Sequence, residues 1–427
     1  MIIHVVQPGE TIYTIARQYN TSPQKLIIDN ELKTPNVLVP GQTLVILVPD
    51  QVHIVQPGET LESIAQRYET TVIELLQINP QITHADSIIV GNPITITLAQ
   101  EKRGPIYTIG YAYPNIDRTV LMKTLPYLTY LTLFTYGITP EGDLIEIEDE
   151  ELIRIARDFG VAPLMLISTL TEEGTFSNEL AHTILNDQTV QNNLIENVVR
   201  TMKEKQYHGL DIDFEYVLPE DKEEFVAFVQ KMTNRLNQEG FTVLTALAPK
   251  VSADQPGLLY EAHDYPALGA ASNRVLLMTY EWGYTYGPAM AVAPVNKVRE
   301  VLDYAVTEIP REKIYMGIPN YGYDFTLPFV QGVSRADSVS NVEAVELAAK
   351  VGATIQYDEV AQAPFFNYYD EQGRQHQVWF EDARSILAKL DLFTEYGFEG
   401  VGYWNAMRYF PQNWLVQSAL YDVAKVI

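Results

Sequence analysis

The chain has 427 residues, 47% of them hydrophobic and 20% charged, the balance of a soluble globular protein with length for two or three domains and a large core. A formal charge of -26 excludes nucleic acid and anionic membrane as partners, because both reward clustered Lys and Arg. With no cysteine there is no disulfide framework or thiolate site, and none of the seven His forms a ligand cluster, so no metal or other cofactor is expected. No run of about 18 apolar residues marks a membrane span. The first nine residues lack the basic start and apolar length of a signal peptide, so synthesis in a cytoplasm without Sec export is expected.

An internal repeat comes first. His4-Val5-Val6-Gln7-Pro8-Gly9-Glu10-Thr11-Ile12 returns as His53-Ile54-Val55-Gln56-Pro57-Gly58-Glu59-Thr60-Leu61, and Asn30 answers to Asn79. Each unit, 1–48 and 51–98, reads as a strand, a Pro-Gly turn, two helices and a closing strand. Leu61, Ile64, Ala65 and Tyr68 share one helix face, and Thr11 and Thr60 are candidate N-caps. Unit one balances Arg17, Lys25 and Lys33 against Glu10, Asp29 and Glu31. Unit two sets Arg67 alone against Glu59, Glu62, Glu69, Glu74 and Asp86, so the two are expected to differ toward an anionic wall. The repeats resemble LysM modules, which bind N-acetylglucosamine-containing glycans. The resemblance implies a sugar groove between Gly9, Glu10 and Thr11 and the loop after Asn30, and again between Gly58, Glu59 and Thr60 and the loop after Asn79. For Gly9 and Gly58 the turn itself is the stronger reading.

A short polar linker at 100–104 precedes eight apolar runs: 106–113, 128–134, 164–168, 209–215, 243–247, 275–280, 314–318 and 400–404. Apolar runs separated by helical stretches read as a parallel sheet buried on both faces, and eight fit a (β/α)8 TIM barrel, the α/β fold expected for 105–427. Such a barrel has its own core and is expected to fold without the repeats. Between the last two runs an insertion, about 324–384, carries a helical pattern at 342–351. Strand-like segments follow at 355–357, 365–369 and 377–380, with a hairpin at 370–373.

The fourth run is His208-Gly209-Leu210-Asp211-Ile212-Asp213-Phe214-Glu215-Tyr216. In a strand alternate side chains share a face, so Asp211, Asp213 and Glu215 line up on one side and Leu210, Ile212 and Phe214 enter a core on the other. Three carboxylates in a row are costly unless protons are shared or a ligand is served, and one with a raised pKa suits a general acid. An acidic edge strand or a hard-cation site is the competing reading, which the apolar flanks and the missing oxygen-ligand loop disfavour.

This run resembles the active-site strand of glycoside hydrolase family 18, Asp-x-x-Asp-x-Asp-x-Glu, with His208 in place of the first Asp. Met278-Thr279-Tyr280-Glu281-Trp282 is similar to the family's Met-x-Tyr-Asp, with Glu281 for Asp. Segments 316–322 and 400–404 are similar to its seventh and eighth strands, whereas Ile167-Ser168-Thr169-Leu170 lacks its Ser-x-Gly-Gly. The resemblance implies hydrolysis with the substrate's own acetamido group as nucleophile. Glu215 would be acid and then base, Asp213 would hold the acetamido N–H, Asp211 would share a proton with Asp213, and Tyr280 would donate to the acetamido oxygen. Trp404 would floor the subsite, with Tyr111, Tyr136, Glu281, Trp282 and Asn320 as weaker candidates for the cleft. Tandem LysM modules before such a barrel look like spore cortex-fragment-lytic N-acetylglucosaminidases, which implies peptidoglycan as partner and a place on the spore after synthesis in the mother cell; a monomer is expected. A chitinase is the alternative enzyme. A lectin or spore-coat protein is the alternative of another class, disfavoured by the presence of Glu215.

Overall fold

Ile12, Ile15 and Ala16 are buried together beneath the first repeat, and Leu61, Ile64 and Ala65 beneath the second. Each repeat closes a two-stranded antiparallel sheet over two short helices, as the sequence led us to expect. Ile2–Val5 pairs with Thr43–Ile46 around helices Ile12–Gln18 and Pro23–Asp29. Pro49–Ile54 pairs with Pro93–Leu98 around Leu61–Arg67 and Val72–Ile78. Thr11 and Thr60 cap the first helices, each in a reciprocal box with Thr14 or Ser63. The structure is a computed structural model that describes residues 1–82, 87–171 and 173–427. Asp86 and part of the loop after Asn79 lie outside the described residues.

The remainder is a closed parallel barrel of eight strands. They are β1 Pro105–Ala112, β2 Tyr130–Ile138, β3 Ala162–Ser168, β4 Gly209–Asp213, β5 Thr242–Leu247, β6 Arg274–Leu277, β7 Ile314–Pro319 and β8 Gly400–Trp404. Neighbours in sequence are neighbours in space, and β8 returns to pair with β1. Alternation sends Leu131, Met165, Leu210, Val243 and Val275 outward into the layer under the helices. Ile109, Tyr111, Phe134, Leu166, Leu244 and Leu276 turn inward and fill the barrel. Two strands are shorter than their apolar runs. β4 stops at Asp213 and β6 at Leu277, so Glu215 and Tyr280 stand on the segments just beyond them. Among the described residues no helix is long and apolar enough to cross a membrane.

The insertion is a five-stranded antiparallel sheet with one helix, Asn341–Val351. In spatial order its strands are Asp337–Val339, Gly322–Leu327, Gln375–Trp379, Ala363–Tyr369 and Gln356–Asp358. The sequence reading missed Gly322–Leu327 and Asp337–Val339. The first continues an apolar-aromatic run directly out of β7, with only two residues between them.

The repeats are seated on this body. Val45 and Leu47 of the first belong to the barrel's outer core, and Val39 enters the insertion's own core beside Ala344, Ile355 and Phe380. Ile355 N–H donates to Pro40 O at 2.9 Å. Lys33 pairs with Glu346 at 3.2 Å, and Thr43 bonds Gln412 at 2.7 Å. A pocket of about 60 Å3 lies between loop residues Leu32 and Val37 and helix residues Val342 and Val345. The second repeat meets the barrel along helix Val72–Ile78, where Gln77 makes the polar contacts. It donates to Pro126 O at 2.7 Å and accepts at its carbonyl from Tyr127 and Ser418. The linker is not a free tether: Arg103 pairs with Asp391 at 2.6 Å, and Lys102 donates to Tyr421 O at 2.8 Å.

Candidate active site

β4 supplies the centre. Leu210, Ile212 and Phe214 lie in the outer core, and Phe214 stacks on Phe225 (6.0 Å) and Phe228 (5.6 Å) of helix Lys222–Asn237. Asp211 and Asp213 are buried on the opposite, interior face. Asp211 Oδ2 accepts from the Tyr111 hydroxyl, brought by β1, at 2.7 Å. Asp211 Oδ1 and Asp213 Oδ1 are buried with no hydrogen-bond partner among the described residues, a cost that native interiors rarely carry outside functional sites.

Burial pushes all three carboxyls upward. Asp211 is raised well above the carboxylate range by burial, opposed by the Tyr111 hydroxyl and reinforced by Asp213. Asp213 is raised by burial. Glu215 is raised well above its ordinary value by burial, then by the charges of Asp213 and Glu281. The row therefore carries fewer than three charges at neutral pH, and its protons belong to the group as a whole.

Tyr280, just past β6, closes the cluster. Its hydroxyl is raised by burial and then by Asp213, Glu215, Asp211 and Glu281, all four carboxyls of the site. β7 admits its ring through Gly317, where a Cβ would lie 2.7 Å from Tyr280 Cε1 and 2.6 Å from Leu277 O. Glu281 accepts hydrogen bonds from Tyr321 and, at 3.1 Å, from Tyr323. Trp404 ends β8 half-buried, its ring 5.0 Å from Phe134, 5.8 Å from Tyr111 and 6.1 Å from Tyr113. Just past β3, Leu170 packs toward this cluster where the family pattern has glycine, so the pocket wall is bulkier there.

Several expected site residues lie elsewhere. Tyr136 is wholly buried in the outer core, its hydroxyl bonded to Asp149 and to Lys205 (2.9 Å). The β2 ladder slips between Leu133 and Tyr136, which reverses the alternation and turns Tyr136 away from the cleft. Asn320 is also a bracing residue. Its Nδ2 donates to the carbonyls of Asn405 (3.1 Å) and Arg408 (2.8 Å), holding the loop after Trp404. Trp282 packs half-buried against the outer core, and its backbone N–H donates to Val292 O. His208 sits at the start of β4, its ring 6.0 Å from Tyr130, at the end of the strand away from Glu215.

In the repeats, four residues expected at a glycan groove hold the modules together instead. Glu10 accepts from His4 (2.8 Å) and from Gln7 N–H (2.7 Å), while His4 stands 3.0 Å from the Tyr19 hydroxyl. Glu59, His53, Gln56 and Tyr68 repeat the arrangement. Asn30 and Asn79 are buried, and each amide bridges the backbone of its helix and closing strand. Thr11 and Thr60 are the caps described above. Gly9 and Gly58, at φ of 87° and 85°, form exposed turns that favour glycine.

Sequence reading missed Tyr113 and Tyr216. Tyr113 continues the alternation of Tyr111, and the charge of Asp213 contributes to raising its hydroxyl. Tyr216 follows Glu215 at a φ of 56°, exposed, with Phe176 6.3 Å away. Period-two spacing would have found the first; the left-handed turn leaves no such signal.

Acidic side chains at the C-terminal mouth of a parallel barrel, over an aromatic floor, define the site of a barrel glycosidase. The chain belongs to the Glycosyl hydrolases family 18, whose model matches residues 167–408, and it carries two LysM domains at residues 4–47 and 53–97. It is 41% identical to the cortical fragment-lytic enzyme of Bacillus subtilis (strain 168), over 100% of this chain and 99% of that protein. The crystal structure of the Bacillus megaterium QM B1551 spore cortex-lytic enzyme SleL matches with a TM-score of 0.84 at 40% identity, covering 100% of this chain and 99% of the other. A chitinase from Chromobacterium violaceum ATCC 12472 matches 74% of this chain and 98% of its own, with a TM-score of 0.68 at 25% identity.

Proposed function

We propose that the protein is a spore-cortex N-acetylglucosaminidase, cleaving peptidoglycan at β-1,4 bonds after N-acetylglucosamine with retention. The observation that carries the mechanism is the buried Asp213 Oδ1, which has no hydrogen-bond partner among the described residues, beside a Glu215 whose pKa is raised by burial and by the charges of Asp213 and Glu281. Asp213 accepts the acetamido N–H, and Tyr280 donates to the acetamido oxygen as that oxygen attacks C1. The C1–O bond breaks as Glu215 gives its proton to the leaving oxygen. Glu215, now a carboxylate, takes a proton from water, which opens the oxazolinium ring at C1 and restores the starting configuration. Asp211, held by Tyr111, takes up charge as Asp213 shifts its own. Trp404 supports the sugar face by stacking.

The relatives that span the whole chain at about 40% identity, named for the spore cortex, support peptidoglycan over the chitin reading, whose relative covers 74% of this chain at 25%. They also support a place at the spore; synthesis in the mother cell belongs to the same proposal. An acetamido nucleophile must be N-acetylated, and N-acetylglucosamine lacks the bulky C3 lactyl group that muramic acid would have to fit beside Asp213, Tyr280 and Trp404, so we place N-acetylglucosamine in the reacting subsite.

Glu215→Gln keeps the shape and loses the proton. It is expected to reduce hydrolysis at least about a hundredfold while folding and glycan binding persist. In the wild type, raising pH through the elevated Glu215 pKa strips the proton from the acid, so activity falls on the basic side. Normal turnover by the Gln variant would remove Glu215 from its role.

A further inference from the structure

Phe214 and Glu215 lie beyond the last residue of β4, and the Phe214 carbonyl is met by a side chain from another part of the barrel. His263 Nε2 stands 3.2 Å from Phe214 O. The other ring nitrogen, Nδ1, receives the backbone N–H of Ala248 at 2.9 Å. A backbone amide can only donate, so Nδ1 carries no proton and the proton of the neutral ring is on Nε2. The chain itself therefore fixes the tautomer that donates to Phe214.

The imidazole is wholly buried, 5.9 Å from the Phe225 ring. Its own backbone is held as well. The buried Lys250 Nζ donates to His263 O and to Ala253 O, each at 3.1 Å. Lys250 N–H donates to the Tyr265 hydroxyl (2.9 Å), which donates to Ala248 O (2.7 Å). Burial, aided by the Lys250 charge and opposed by the Phe214 carbonyl, lowers the imidazole to about 4, so the ring stays neutral near neutral pH.

We propose that His263 is a positioning residue for the general acid: by holding the Phe214 carbonyl, its Nε2–H fixes the peptide plane that contains the nitrogen of Glu215. That peptide unit is planar, and the next residue, Tyr216, is in the left-handed region, so the plane sets where the Glu215 carboxyl points. A misplacement of about 1 Å at such a group can cost a hundredfold in rate. The inference rests on Glu215 being the acid. The groups facing Glu215 are Asp213 from β4, Tyr280 and Glu281 after β6, and the adjoining Tyr216. A carboxyl that swings away from Asp213 and Glu281 into water loses the burial and the like charges that raise it. Its pKa then falls, and the basic limb of the pH profile moves to lower pH.

The test compares His263→Asn with His263→Gln in the full chain on soluble cortex fragments. Asn places an acceptor near Ala248 N–H but cannot reach Phe214 O; Gln can donate to it. His263→Asn is expected to lower kcat about tenfold or more, with KM within about twofold and the basic limb displaced acidward. His263→Gln is expected to recover most of kcat and the wild-type limb. A folded His263→Asn with wild-type kcat and pH profile overturns the proposal, as does a folded His263→Gln as impaired and displaced as the Asn variant. Should His263→Asn not fold, His263→Gln decides alone: retained kcat and limb support the proposal, loss of both overturns it. Glu215→Gln in parallel separates the two assignments, since activity in that variant removes the acid and not its support.

Discussion

The two LysM modules are built alike and used differently. Both lock a His–Glu pair beneath the Pro-Gly turn and bury an Asn amide between helix and closing strand. The loop before each closing strand makes matching bonds, Gly41 N–H to Val6 O and Gly91 N–H to Val55 O. There the likeness ends. Val39 is 3% exposed inside the insertion's core, while Ile89 at the same place in the second module is 63% exposed. A Cβ on Gly41 would lie 1.8 Å from Ile355 O, whereas one on Gly91 would meet nothing within 4 Å. The first module is a wedge joining barrel and insertion; the second leaves the corresponding face open to solvent. Local sequence makes the module, and contacts with distant residues decide what it does.

That contrast can be broken by paired substitutions. Val39→Asp buries an unpaired carboxylate between module and insertion and is expected to cost about 3 kcal/mol or more in thermal or denaturant unfolding. Ile89→Asp is expected to change stability by no more than about 0.5 kcal/mol. Equal losses would mean the two modules are seated alike. Gly41→Ala and Gly91→Ala share a positive φ, worth about 1 kcal/mol each. Only Gly41→Ala also collides with Ile355, so its melting temperature is expected to fall further by an amount equivalent to about 1–2 kcal/mol. The smallest effect concerns the glycan. Ile89→Asp combined with Val90→Asp is expected to weaken retention on insoluble cortex several-fold with kcat on soluble fragments unchanged, because the open face is the one free to meet the wall. Unchanged retention would show that glycan capture does not use this face.

The same division marks what the sequence could tell. Repeats, caps and barrel strands were legible because apolar spacing is a local property of Leu61, Ile64 and Ala65 or of Leu210 and Ile212. The alternation of Asp211 and Asp213 placed both on the interior face, and Glu215 followed although the strand ends before it. Tyr136 was misplaced because a slip in one ladder is not written in the alternation it interrupts. Glu10 and Glu59 were read as groove residues although His4, Glu10 and Tyr19 recur at identical spacing as His53, Glu59 and Tyr68, a pattern that internal bonding explains. The short polar linker and the barrel's own core were legible, but the contacts of Val39, Val45 and Arg103 were not, because their partners lie hundreds of residues away.

The central claim is that an acetamido group assists cleavage from the subsite beside Asp213, which requires N-acetylglucosamine there and a muramic residue on the leaving side. Digestion of cortex fragments, borohydride reduction of the new ends and mass spectrometry test it directly. Reduced N-acetylglucosamine at every new end is the predicted result. Reduced muramic acid in its place would make the enzyme a muramidase and contradict this assignment of the cleft.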